Sequence, residues 1–179
     1  EEYVDGSLKL SLLRPVSRRK LLLGKMGALV IGIMVLLLFL LILGYAIGIL
    51  IFGWGDQFLI KGRTLTTGEG LLFTLKVYML SLLPYASFGA LILLFAVFMS
   101  NTGSVVGIGI GILLISLLTG QVFPELSAYL ISSYFNTLDL LTSDMGAPEI
   151  ICGLSLVAIY GILFYALSSW GFSKKDLLL

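Results

Sequence analysis

From Met26 to Gly53 the sequence runs for 28 residues without a charged side chain. A helix over that stretch is about 42 Å long, more than the ~30 Å hydrocarbon core of a bilayer, so a tilted membrane span is expected. The pattern repeats three times, because 77–100, 105–122 and 150–171 also lack Asp, Glu, Lys and Arg. Hydrophobic residues make up 59% of the chain and charged residues 12%, with a mean hydropathy of +1.10, outside the balance of a soluble domain. The reading is an all-α integral membrane protein in one membrane domain over 1–179. It has four transmembrane helices, at about 26–53, 77–100, 105–122 and 150–171. A cytoplasmic amphipathic helix lies within 1–25, an external interfacial helix within 123–149 and a cytoplasmic tail at 172–179.

Between these runs, local chemistry marks the connections. Trp54 and Phe58 stand where an interfacial aromatic belt falls, and Gly53, Gly55, Gly62, Gly68 and Gly70 read as loop. Pro84 lies inside the second run, where it removes one helical hydrogen bond; it reads as a packing kink or a hinge. Asn101 to Ser104 is a tight polar turn that makes the second and third helices a hairpin. Gly103, Gly107 and Gly111 recur every four residues beside Gly109, and Gly44 and Gly48 do so on the first helix. Such smooth faces suit helix packing, with a glycine-lined conduit as the alternative. In 124–148, Leu126, Leu130, Tyr134 and Leu138 share a four-residue period with Glu125 and Asp139 off the stripe, the pattern of an interfacial helix.

Topology follows from the basic residues. With both ends inside, Lys9, Arg14, Arg18, Arg19, Lys20, Lys25, Lys174 and Lys175 are cytoplasmic, against Lys61, Arg63 and Lys76 outside. That bias obeys the positive-inside rule and places the chain in a cell membrane with both ends cytoplasmic.

Composition removes much chemistry. The sequence has no histidine, so haem ligation, a zinc protease and a Ser/His protease are disfavoured. Its single cysteine, Cys152, sits in an apolar run as a small hydrophobe. An intramembrane enzyme built on Asp139 or Glu125 would lack a nucleophile and base pair. The four runs contain no Asp, Glu, Lys, Arg or His to couple to an ion gradient. Gly24-Lys25 is not a P-loop, since Arg19 replaces the required glycine and Met26 the Ser/Thr. No nucleic-acid partner is expected.

The stretch from Glu1 to Lys25 is the one long segment both charged and amphipathic. Leu8, Leu12 and Leu13 share a helical face, Arg14-Pro15 breaks it, and Ser17 can cap a new helix that begins with Arg18, Arg19 and Lys20. Three cations in a first turn oppose the helix dipole, so their role is anchoring at anionic headgroups or docking a partner. The chain opens on Glu1 and Glu2 without Met or a signal peptide, and the reading places its true amino terminus upstream.

Glu2, Gly6, Ser7, Leu8, Leu12, Leu13, Pro15, Val16, Ser17 and Arg18, followed by Gly24-Lys25, resemble the cytoplasmic segment of ABC-2 type permeases, the membrane subunits of bacterial ABC exporters. One extra residue separates Leu8 from the leucine pair. The tail from Gly171 through Asp176 is similar to the ending of the same permeases. The resemblance implies the carboxyl-terminal part of an exporter permease in a bacterial inner membrane, with two spans upstream. It implies a separate ATPase subunit, which holds the ATP and Mg and docks at Glu2, Gly6, Leu8, Leu12, Leu13, Pro15, Ser17 and Arg18. It also implies a second permease copy, as a homodimer or heterodimer. No cofactor is expected on this chain. The alternative function is a non-transporting membrane scaffold or assembly factor.

Overall fold

In a computed structural model of the chain, the described residues are 18–55, 57–60, 62–143 and 146–174. The expected amphipathic helix of the opening segment and the tail beyond Lys174 lie outside them. Helix α1, Arg18–Phe52, is 35 residues long. It stops because Gly53 turns to φ 78°, the left-handed region that glycine enters freely, while its N–H reaches back to the Ile49 carbonyl at 2.9 Å.

Gly53, Gly55 and Gly62 lie outside regular structure as expected, but the stretches on either side of Gly62 form strands. Strands β1, Gln57–Ile60, and β2, Arg63–Thr66, pair antiparallel from Gln57↔Thr66 to Ile60↔Arg63. The short turn ends at Gly62, with φ 82°. Helix α2, Thr67–Phe98, starts directly from β2. Thr66 and Glu69 close a capping box: the Thr66 N–H donates to Glu69 Oε2 at 3.0 Å, and Thr66 Oγ1 accepts from the Glu69 N–H. Gly68 and Gly70, read as loop, are first-turn residues; each disfavours helix by about 1 kcal/mol against alanine, and the reciprocal cap offsets this.

Helix α3, Thr102–Val122, is capped by Asn101 Oδ1, which accepts from the Gly103 N–H at 2.9 Å. Helix α6, Ala147–Lys174, closes the described chain. All four long helices are apolar and long enough to cross a membrane. Each helix extends beyond or shifts from the uncharged run that marks its expected span, 26–53, 77–100, 105–122 and 150–171. Caps and helical propensity carry a helix past the residues that mark its uncharged run.

The expected interfacial helix is also corrected. Helix α4, Pro124–Ser127, a 3-10 turn, Ile131–Tyr134, and helix α5, Thr137–Thr142, replace it. Local side chains compete for the backbone: Ser127 Oγ donates to the Pro124 carbonyl, the Tyr134 hydroxyl to the Ala128 carbonyl, and Asn136 Oδ1 accepts from the Asp139 N–H to start α5. These pieces form a cap. Ser81 Oγ and Thr137 Oγ1 lie 2.8 Å apart, and the Phe135 ring stacks on Tyr85 and meets Phe88 edge-on.

The densest packing joins α2 to α6. Small residues allow it. On α6, Gly153, Val157, Gly161, Phe164, Ser168 and Gly171 recur at steps of three and four, forming one face. Val157, Ser168 and Ala90 are fully buried. A Cβ on Gly161 would approach Ser87 Oγ to 2.8 Å, and one on Gly171 would approach Phe98 Cζ to 2.6 Å. Glycines that bring backbones together are the usual device of helix association in lipid. Pro84 lies buried in this seam, inside a helix that continues through it.

Gly44, Gly48, Gly103, Gly107 and Gly111, where packing is expected, hold no other helix of this chain against a Cβ position. A Cβ on Gly44, Gly48, Gly107 or Gly111 meets nothing within 4 Å, and one on Gly103 meets only Asn101 of its own cap. Gly109 is the α3 glycine that packs, against Ile92 of α2. Regular spacing identified glycines, but the seam selected those whose faces point inward.

Candidate functional site

Helices α1 and α2 run antiparallel, and their contact is uneven. Near the start of α1, Leu22 is 1% exposed, and Leu29 Cδ2 lies where a Cβ on Gly89 would be 2.5 Å away. Towards its end, Leu50 is 84% exposed and Phe52 87%. The half-buried residues Ile33, Leu37, Leu41, Tyr45 and Gly48 mark the face that α1 turns to α2. Glycine at 44 and 48 leaves that face without side-chain volume where the helices diverge.

The result is a groove of about 480 Å3 at the far end of α1, which Gly44, Tyr45 and Gly48 line opposite Thr74 and Tyr78 of α2. Trp54 and Gln57 stand at its mouth. Below it a second gap of about 20 Å3, lined by Leu37, Leu38, Leu75 and Met79, shares Leu41 and Tyr78 with the first. The two form one crevice, narrow at mid-helix and wide towards the β hairpin.

Hydrogen bonds hold its walls. The Tyr45 hydroxyl donates to Thr74 Oγ1 at 2.9 Å, and Thr74 Oγ1 donates to the Gly70 carbonyl at 2.9 Å. Thr67 Oγ1 donates to the Gly55 carbonyl at 3.2 Å, tying the end of α1 to the start of α2. No charged residue is among the described residues of the lining. The described lining offers hydrogen bonding at the wide end and dispersion at the narrow end.

A smaller cavity of about 200 Å3 lies among α2, α3, α6 and the cap, with Ser116 Oγ donating to Ser132 Oγ.

The crevice unites Gly44, Gly48 and Trp54 from the sequence reading with Tyr45, Thr74, Tyr78 and Gln57, which that reading did not single out. Tyr45 and Tyr78 were legible as hydroxyls inside leucine runs; Thr74 was not, because its helix was read as starting after it. Gly103, Gly107 and Gly111 lie apart on α3, and Pro84 lies in the α2–α6 seam. Of the expected partner-contact residues, Glu2, Gly6, Leu8, Leu12, Leu13, Pro15 and Ser17 fall outside the described residues, and Arg18 begins α1.

A family model described as "Protein of unknown function (DUF2705)" matches residues 1–178. The chain belongs to this family. No curated protein and no solved structure matches it. The family model corrects the resemblance to ABC-2 type permeases, since it covers nearly the whole chain and describes a different family. The reason is physical: leucines on one face, a proline break and cations before an apolar run are what any amphipathic lead into a membrane helix requires. A DUF2705 member shares that lead without sharing the permease family.

Proposed function

We propose that this DUF2705 chain is a multi-pass subunit of a cell membrane that helps move an apolar or amphipathic molecule, driven by an ATPase on a separate chain. Its orientation follows the basic residues: the α1 start, the α2–α3 turn and the α6 end share one face of the bundle, taken as cytoplasmic. The ATPase, which holds the ATP and Mg, meets the segment 1–17 that precedes α1 in the sequence. The segment 124–142 is external. Membrane lipids surround the helices, and a second copy packs against the open α3 face at Gly107 and Gly111.

The supporting observation is the crevice between α1 and α2. It opens sideways between two helices able to span a bilayer, and it belongs to the helix that the amphipathic segment leads into. A tilt of α1 about its close contact at Leu29 and Gly89 would change the width of the crevice. The uncharged runs give no handle for an ion gradient, so the energy comes from nucleotide hydrolysis.

The test is isolation of the full-length protein from its native membrane under gentle extraction. An ATPase that co-isolates, and loses that association when Leu12→Asp or Arg18→Glu is introduced, is the expected result. A protein that inserts normally and never carries an ATPase contradicts the proposal. It would favour the scaffold reading, for which the exposed α3 residues Val106, Ile110 and Leu114 supply an association face.

A further inference from the structure

The crevice changes chemistry along its length. If the hydrocarbon core begins near Lys25, ~20 residues of helix at 1.5 Å each place its other boundary near Tyr45. Tyr45 is hydrogen-bonded to Thr74, and Lys76 follows two residues later on α2. Below this level the walls are Leu37, Leu38, Leu41, Leu75 and Met79, across roughly the depth of one leaflet. Above it the Trp54 indole N–H and the Gln57 amide line the groove at headgroup height, while the Tyr45 and Thr74 hydroxyls, whose protons go to Thr74 Oγ1 and the Gly70 carbonyl, offer lone pairs only. Lys76 lies two residues from both Thr74 and Tyr78, which puts it on the opposite face of α2 from the groove. The two ends thus match the two ends of a lipid.

The geometry points to a lateral binding site for one lipid of the outer leaflet, with a head group of no net charge in the wide end of about 480 Å3 and an acyl chain laid along the lipid-facing side of the narrow gap, whose own volume of about 20 Å3 admits no chain. The charge of the lining decides the head group. With no charged side chain among the described lining residues, an anionic head would enter without a counter-charge, whereas a neutral or zwitterionic head needs only the hydrogen-bonding groups present. The volume of about 480 Å3 falls within the range of small-molecule sites and is too small for a partner helix. The site rests on the transport reading for its purpose but not for its occupancy: lipid binding is measured without ATP.

The test uses the full chain in nanodiscs and a phosphatidylcholine analogue with a photoreactive group on its acyl chain, with labelled residues mapped by mass spectrometry. Labelling should concentrate at 37–48 and 74–82. Gly48→Phe, which has room at Cβ and fills the groove, should lower it about tenfold, equivalent to ~1.4 kcal/mol of occupancy. Gly44→Val provides a milder second block, and Gly111→Phe on α3 should change nothing. Even labelling of Leu50 and Ile110, unaffected by both groove variants, overturns the site. Equal labelling by a phosphatidylglycerol analogue overturns the head-group assignment. Labelling as expected without ATP-driven movement contradicts the transport reading and leaves the site standing.

Discussion

The Ser87 hydroxyl of α2 donates to the Val157 carbonyl of α6 at 2.9 Å, in a seam where a methyl on Gly161 would approach the same hydroxyl oxygen to 2.8 Å. Close backbone approach and the interhelical hydrogen bond therefore depend on one another. Gly161→Leu should destabilise the fold by roughly 1–3 kcal/mol through overpacking, and Ser87→Ala by only ~0.6 kcal/mol. Equilibrium unfolding of the purified protein in mixed detergent micelles measures both. A Gly161→Leu variant as stable as the parent would remove the seam from the core.

The cap is tied down by aromatic packing. A Cβ on Gly153 would come within 2.5 Å of Tyr134 Cε1 and Oη, so Gly153→Val should displace Tyr134 and break its bond to the Ala128 carbonyl. Amide exchange should accelerate across 131–142 and remain slow in the α2–α6 seam. Uniform acceleration through all helices would mean that the cap and the bundle open as one unit.

Burial pushes the Tyr134 phenol above its ordinary value of 10.0, with smaller contributions from Cys152 and Tyr160. The folded state then keeps the proton after the unfolded chain has lost it. Stability is fully present below pH ~10 and falls as pH rises from there through the folded value. Amide exchange of the cap followed across alkaline pH should show this loss, and Tyr134→Phe should remove that part of the dependence.

The open glycines of α3 separate folding from association. A Cβ at Gly107 or Gly111 meets no atom of the chain within 4 Å, so Gly107→Leu and Gly111→Leu should not destabilise it and should gain up to about 1 kcal/mol each in helix propensity. They should weaken a second copy packed there, read as loss of cross-linked dimer in native membranes. Unchanged dimer would move that interface elsewhere.

The four apolar helices were legible because uncharged runs of this length have one common physical use. Their ends were less so. The Thr66-to-Glu69 capping box was visible as a pattern, yet the surrounding glycines masked it, and the hairpin that precedes it depends on pairing across a short turn that no periodicity reports. The four-residue period through Leu126, Leu130, Tyr134 and Leu138 belongs to the sequence alone: hydrogen bonds from Ser127, Tyr134 and Asn136 divide the segment, and Leu126 and Leu138 stay exposed while Tyr134 is buried. Glycine spacing alone could not distinguish Gly161, which meets Ser87, from Gly111, which meets nothing within the chain. The crevice was least legible of all, because it is defined by where α1 diverges from α2.

The most direct measurement is ATP-dependent movement of a fluorescent lipid in sealed vesicles made from membranes that contain the full-length protein and its native partners. The account predicts movement that requires ATP, disappears when this chain is deleted and falls in Gly48→Phe while the protein stays folded. Movement that persists at the same rate without the chain, or a folded chain with its ATPase bound and no movement, would contradict it.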